Sequence, residues 1–218
     1  MTPTLGYWNI RGLGQPIRLL LAYTDTKYVD KRYNCGPAPD FDASEWLNDK
    51  YKLGLNFPNL PYYIDGDIKI TQSLAINRYI ARKTKLEGQT DEERLRVSLA
   101  EQQLVDMNED FSHIAYDPNF ETLKVDYLKN LPNTLKLFND FLDNRPFLAG
   151  ESVTYVDFIG YELLDKLNAF APEMVSKVNN LKKYIERVES LPQIANYLKS
   201  SPKQAYNGPM AKWGGSVE

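Results

Sequence analysis

The 218 residues contain one cysteine, Cys35, and one histidine, His113. A lone thiol excludes an intramolecular disulfide and any CxxC redox pair. A lone imidazole makes a His-rich metal centre or a Ser-His-Asp triad a poor expectation, so no metal is expected. No apolar run approaches the roughly 20 residues that cross a bilayer, and no membrane partner is expected. Met1-Thr2-Pro3-Thr4 has no basic region and no long apolar core follows it, so no secretory leader is expected and the cytoplasm is the default location. Positive charge is not in excess, with 26 Lys and Arg against 29 Asp and Glu, which gives no support for a nucleic-acid partner. Internal repeats and low-complexity tracts are also missing.

What remains is the composition of an ordinary globular protein, 43% hydrophobic and 25% charged, long enough for one large domain or two modest ones. Charge is divided unevenly. Residues 1–85 hold 12 basic against 8 acidic side chains, and residues 86–218 hold 14 against 21. A mildly basic front half suits a small acidic ligand, and ordinary solvated faces account for the split equally well.

The chain is organised around Leu5 to Tyr23. Leu5-Gly6-Tyr7-Trp8 is long enough for a buried strand, and Arg11-Gly12-Leu13-Gly14 is a glycine-bearing turn. Pro16 suits the first turn of a helix whose apolar positions are Ile17, Leu20 and Leu21. A strand–turn–helix junction directs backbone N–H groups and the positive end of a helix dipole at whatever lies above the turn. Tyr7, at the strand's end, is placed to add a phenol to that spot. On this stretch alone, a buried strand tyrosine is the favoured reading.

Lys27 to Tyr33 alternates like a half-exposed strand, and residues 34–40 form a Gly/Pro loop. Cys35 lies in that loop with Lys31 and Arg32 close behind, a placement that can lower a thiol pKa, although a bystander thiol is the simpler reading. Asp42 to Lys50 predicts a short helix with a capping residue at its start. Phe57 to Ile64 leads through prolines into a strand, with a cis peptide expected before a hairpin strand of this kind. Asp65-Gly66-Asp67 turns the hairpin and Ile68-Lys69-Ile70 returns. Thr71-Gln72-Ser73 starts a helix with Ile76, Tyr79 and Ile80 inward. The linker is 86–90, and everything after it is helical. Asp91 to Tyr116 is predicted to bury Leu95, Leu99, Leu104 and Phe111, and Leu123 to Leu142 is predicted to bend near Pro132. Thr154 and Asp157 have capping-box spacing. Helices over 180–189 and 192–199 follow, and the Gly/Pro-bearing tail from Pro202 is expected to lie across the surface.

A βαβ–ββα unit followed by helices resembles the soluble glutathione transferases. Leu5-Gly6-Tyr7-Trp8-Asn9-Ile10-Arg11-Gly12, Asn59-Leu60-Pro61, Gln72-Ser73 and Tyr155-Val156-Asp157-Phe158 resemble the mu class in particular. The resemblance runs from Leu5 to Lys199. GPAPDFD, SEWLN and AEQQ are most similar to the mu enzymes of mites and ticks, some of which are known as allergens. The resemblance implies an α/β plus all-α fold: a thioredoxin-like glutathione-binding domain over 1–85, and an all-helical domain over 91–218 that contributes the electrophile pocket. It also implies a homodimer, with glutathione as co-substrate rather than any bound cofactor, and small hydrophobic electrophiles as the other substrates.

Residue by residue, the resemblance implies that Tyr7 donates to the glutathione sulfur. Trp8, Leu13, Trp46 and Lys50 would line the tripeptide site, and Asn59 and Leu60 would present backbone to its cysteinyl part beside a cis Pro61. Gln72 and Ser73 would hold the γ-glutamyl carboxylate, and Asp106 of the partner subunit would meet the γ-glutamyl ammonium. Ile10, Leu13 and Tyr116 would border the electrophile, and Phe57 would insert into the other subunit. The residue types suit the ligand, because glutathione carries two carboxylates and one ammonium.

An unperturbed thiol of pKa about 8.5 is only about 3% ionised at pH 7, and lowering that by about 2 units takes roughly 2.7 kcal/mol. One hydrogen bond to a charged group supplies about 1.5–3 kcal/mol, so a Tyr7 donor beside a helix start is sufficient. Some positions depart from the class. Ala43 stands where an arginine usually meets the glycyl carboxylate, Leu74 and Asn77 are swapped in the helix after Ser73, and Asn108 and Ser112 make the pocket wall more polar. The alternatives are a non-catalytic carrier of hydrophobic ligands on the same scaffold and, more remotely, a thiol–disulfide oxidoreductase using Cys35.

Overall fold

A computed structural model describes residues 1–217. β1 (Thr4–Trp8), α1 (Gln15–Tyr23) and β2 (Val29–Tyr33) form the first βαβ unit. α2 (Ser44–Asp49) leads to β3 (Tyr62–Asp65), β4 (Ile68–Thr71) and α3 (Ser73–Thr84). The sheet order is β2-β1-β3-β4. β1 runs parallel to β2, with Tyr7 opposite Arg32, while β3 is antiparallel to both of its neighbours. This mixed four-stranded sheet makes the N-terminal part thioredoxin-like. The helical part follows as α4 (Asp91–Tyr116), α5 (Phe120–Leu142), α6 (Tyr155–Phe170), α7 (Pro172–Val175), α8 (Asn179–Glu189) and α9 (Pro192–Ser200).

Local chemistry explains the element boundaries. Pro16 lies in the first turn of α1, where its missing N–H costs nothing. Thr90 and Glu93 close a capping box on α4, and Thr154 and Asp157 close one on α6. The expected cap of α2 is displaced by one residue. Ala43 occupies the cap position and has no side chain to bond, while Asp42 Oδ1 accepts from Ser44 N–H at 2.9 Å. α5 starts at Phe120, three residues earlier than the apolar pattern suggests, and runs helical through Pro132.

One apolar core joins the two parts. Leu5, Ile17, Leu20, Ile76 and Ile80 from the sheet and its helices continue into Leu104, Phe111, Leu163 and Leu164 of the bundle. A smaller cluster contains Tyr7, Tyr33, Trp46, Leu55, Leu60 and Tyr62.

Two expectations are overturned. Leu95 and Leu99 do not face the core but are 62% and 55% exposed. The buried stripe of α4 is Val97, Ala100, Leu104, Met107 and Phe111, and Leu95 lies two residues, about 200°, round the helix from Val97. The tail is not merely draped over the surface. Arg11 and Gly12 donate their amides to the carbonyls of Ala205 and Tyr206 at 2.8 and 3.1 Å. Ala205 and Asn207 are buried, and Trp213 packs edge-on against Phe111 and Phe170.

Candidate active site

β1 ends at Trp8, and the loop to α1 folds back over the ring of Tyr7. That ring occupies the space a side chain would need at two glycines. A Cβ on Gly12, where φ is +40°, would lie 2.7 Å from Tyr7 Oη, and one on Gly14 would lie 2.5 Å from Cδ1. The glycines are therefore required by close approach as well as by the turn. Leu13 N–H donates to Tyr7 Oη at 3.1 Å, which uses an acceptor lone pair and leaves the phenolic hydrogen free. Tyr7 is 6% exposed, and burial pushes its pKa up to about 12 against the opposing pull of the Leu13 amide. At neutral pH the group is a neutral hydrogen-bond donor.

Two arginines, Arg18 buried and Arg11 half-buried, fix this loop. Arg18 pairs with Asp30 at 3.2 Å and donates to the carbonyls of Ile10 at 2.8 Å and Trp8 at 3.4 Å, so that a charge inside the fold is matched. Arg11 grips Glu162 of α6 with two nitrogens, at 3.0 and 2.6 Å, and reaches Asp165 at 2.6 Å. Its guanidinium stacks 4.2 Å from the ring of Tyr206, whose hydroxyl donates to Asp165 at 3.0 Å. The strand–turn–helix junction is thus tied to both the bundle and the tail.

A cleft of about 660 Å³ opens beside Tyr7 between the start of α3 and helices α4 and α6. Of the residues singled out from the sequence, Tyr7, Ile10, Leu13, Gln72, Ser73 and Tyr116 line it together. Gln72 caps α3 with φ +72°, a conformation that L side chains rarely adopt, and Ser73 is the first helical residue. The amides at this helix start are suited to an anion. Tyr116 Oη accepts from Gly208 N–H at 2.7 Å, which brings the tail to the rim.

The remaining residues lie outside that cleft. Trp8, Trp46 and Leu60 belong to the cluster around Tyr7, where Trp46 stacks on Tyr62 at 6.1 Å and meets Tyr33 edge-on at 5.4 Å. Lys50 is half-buried at the end of α2, without a carboxylate partner among the described residues. Asn59 Oδ1 accepts from Leu60 N–H at 2.9 Å, so that amide is already engaged beside the cis Leu60–Pro61 bond. Asp106 is exposed on α4, and Phe57 is 73% exposed in the loop before β3. Burial and the nearby Asp42 push the Cys35 thiol pKa up, against the lowering that Lys31 and Arg32 could have given and in keeping with a bystander thiol. Its Sγ donates to Phe41 O at 3.5 Å.

Arg11, Arg18, Asn77, Glu162 and Lys166 carried no site assignment from the sequence. Glu162 and Lys166 do leave a signal, since they are charged residues one turn apart in a helix that is otherwise largely apolar. Asn77 is buried on the cleft wall, with Nδ2 donating to Ser73 O at 2.9 Å and Oδ1 left without a donor.

Known proteins resemble this chain over most of its length. Residues 3–82 match the family described as the glutathione S-transferase N-terminal domain, and residues 105–201 match the corresponding C-terminal domain family. A glutathione S-transferase of Tyrophagus putrescentiae is 58% identical over 98% of this chain and 97% of its own length. One from Dermatophagoides pteronyssinus is 53% identical over 98% of each. Human glutathione S-transferase Mu 5 is 54% identical over 92% of each. Among solved structures, the glutathione S-transferase Blo t 8 superposes with a TM-score of 0.89 at 31% identity, covering 97% of this chain and 99% of that one.

Proposed function

The chain belongs to the glutathione S-transferase family, in its mu-class-like, mite-like branch, and conjugates glutathione; we propose that Tyr7 holds the sulfur as thiolate for attack on hydrophobic electrophiles in the adjoining cleft. One observation carries this assignment. The Tyr7 hydroxyl keeps its proton, has its lone pair engaged by Leu13 N–H, and opens onto a cleft beside a helix start. A phenol in that state donates to an anion and does not act as a base. The reaction forms a sulfur–carbon bond, and either a leaving group departs or a π bond opens. The protein supplies orientation and thiolate stabilisation.

The tripeptide lies across the N-terminal part. Gln72 and Ser73 receive the γ-glutamyl carboxylate at the α3 start, and Trp46 and Lys50 receive the glycyl end. Asn59 and Leu60 receive the cysteinyl backbone, which requires Asn59 Oδ1 to release the Leu60 amide. Trp8 and Leu13 flank the tripeptide, and Ile10, Leu13 and Tyr116 border the electrophile. The working unit is a homodimer in the cytoplasm, in which Phe57 enters the second copy and Asp106 of the partner subunit meets the γ-glutamyl ammonium. The exposed Leu95 and Leu99 on α4 supply further apolar surface for that contact.

The test is the initial rate of conjugation of glutathione to chlorodinitrobenzene, for the parent and for Tyr7→Phe. The expected result is turnover in the parent and a large loss of kcat in the variant at neutral pH, partly recovered in alkali as the thiol ionises unaided. Equal activity of the two would remove Tyr7 from the mechanism. A parent that binds glutathione but is inert would make the protein a carrier.

A further inference from the structure

The deep wall of the cleft is formed by one side of α6, where Ile159 and Leu163 alternate with Glu162 and Lys166. Glu162 is committed, with both of its oxygens bonded to Arg11. Lys166 is not. It is 3% exposed, and its ammonium has a single acceptor among the described residues, the neutral Asn108 Oδ1 at 2.9 Å. Phe111 lies on its other flank, with the ring centre 5.8 Å from Nζ. An ammonium has three hydrogens to place, and a buried one left short of acceptors is costly. Burial holds the Lys166 pKa below the ordinary lysine range, with Glu162 opposing that pull.

The other charged groups on the cleft do not answer Lys166. Arg78 is paired with Glu101, and Glu109 is exposed at the mouth, where water screens it. Asn108 and Ser112 on α4 extend the polar strip toward Tyr116.

We propose that Lys166 is a specificity-determining residue, and that the cleft takes electrophiles carrying a carboxylate, which Lys166 holds while glutathione sulfur attacks a carbon elsewhere on the molecule. The proposal rests on reading this cleft as the electrophile site. A carboxylate supplies the acceptors the ammonium lacks, and the surrounding Ile159, Leu163 and Leu104 cover the apolar body of such a substrate.

Ethacrynic acid and its methyl ester provide the test, because the two share one enone and differ only in a distant carboxylate. In each, sulfur adds to the terminal alkene carbon, the π pair becomes an enolate, water protonates it, and nothing leaves. The parent is expected to show a lower KM for the acid than for the ester. In Lys166→Met, the acid KM is expected to rise about tenfold relative to the ester KM, the size of a lost hydrogen bond to a charged group. Lys166→Arg is expected to keep the preference for the acid. A parent that favours the ester, or an acid-to-ester ratio unchanged in Lys166→Met, would overturn the proposal. If the Met variant does not fold, the parent ratio and the Arg variant decide. Chlorodinitrobenzene, which has no carboxylate, separates the two levels of failure. Turnover of it without acid preference removes only the role of Lys166, whereas a parent inert toward all three compounds removes the electrophile-site reading and this proposal with it.

Discussion

The N-terminal part and the helical part keep their polar groups in opposite ways. On the N-terminal side, Lys50, Asn59 and Gln72 are exposed or half-buried, and Lys50 has no carboxylate partner among the described residues. On the helical side, Glu162 is buried against Arg11, and Glu101 against Arg78 and the hydroxyl of Tyr155, with the uncommitted Lys166 the exception. Uncommitted polar groups at a surface await a ligand at little cost to the fold, whereas committed ones inside are part of what holds it. A charge lost from the first side should therefore be felt in substrate affinity, and a committed one lost from the second in stability. Arg11 bridges the two sides, and it is where the contrast can be broken most severely.

Arg11→Ala leaves the Glu162 carboxylate buried without its partner, a change that costs about 3 kcal/mol or more. For a chain of this length that is a fall of roughly 6–12 °C in the unfolding midpoint. Thermal or urea unfolding of the variant checks it, and a midpoint within about 2 °C of the parent would mean that the cluster contributes nothing net. Tyr7→Phe is the counterpart on the ligand side. It removes the hydrogen bond proposed to reach the thiolate, about 1.5–3 kcal/mol, or roughly 10- to 150-fold in kcat/KM, and should leave the midpoint nearly unmoved. A variant that loses stability rather than rate would reverse the assignment of Tyr7 to the ligand side.

The same contrast governs what could be read from the sequence. The strand–turn–helix of Leu5 to Tyr23, the Asp65-Gly66-Asp67 hairpin and the Thr154–Asp157 capping box are each encoded within a few residues, and each formed as the local pattern indicates. Partners distant in sequence were not legible. Arg11 meets Glu162 across 151 positions, and Lys166 meets Asn108 across 58. The tail has no periodicity to read, since what orders it is a pair of amides from the β1–α1 loop and an aromatic cluster around Trp213. In α4, leucines stand on opposite faces, and the buried face is picked out by Val97, Ala100 and Met107 as much as by leucine. The basic residues just before Cys35 give no hint of burial or of Asp42, which comes back to the thiol from the far side of the loop and keeps it a bystander.

A pH titration sharpens the reading of Tyr7 further. Burial raises its pKa from 10 to about 12, so the folded protein holds this proton where an exposed tyrosine has begun to lose it. The sign follows from linkage. The contribution to stability is complete below pH 10 and is lost as pH rises through about 12. Difference absorbance of phenolate between the parent and Tyr7→Phe should therefore show no Tyr7 ionisation below about pH 10. A Tyr7 phenolate appearing near pH 8 would mean that solvent or the helix start outweighs burial, and would open a general-base role.

The smallest effect is expected on the N-terminal side at the start of α2. Ala43 is half-exposed at the start of α2, a few residues before Trp46 and Lys50. An arginine added there would offer a second cation to the glycyl carboxylate at a solvated site, and such pairs contribute about 0.2–1 kcal/mol. Ala43→Arg should accordingly lower the KM for glutathione by up to about fivefold and leave kcat and the unfolding midpoint in place. The reason lies in the position of the group. Ala43 is remote from the sulfur, so added binding there acts equally on the ground state and the transition state. Initial rates at varied glutathione and saturating chlorodinitrobenzene measure both constants. An unchanged KM would mean that Lys50 and Trp46 already complete the glycyl site, and a rise in kcat would mean that the glycyl end helps to position the sulfur.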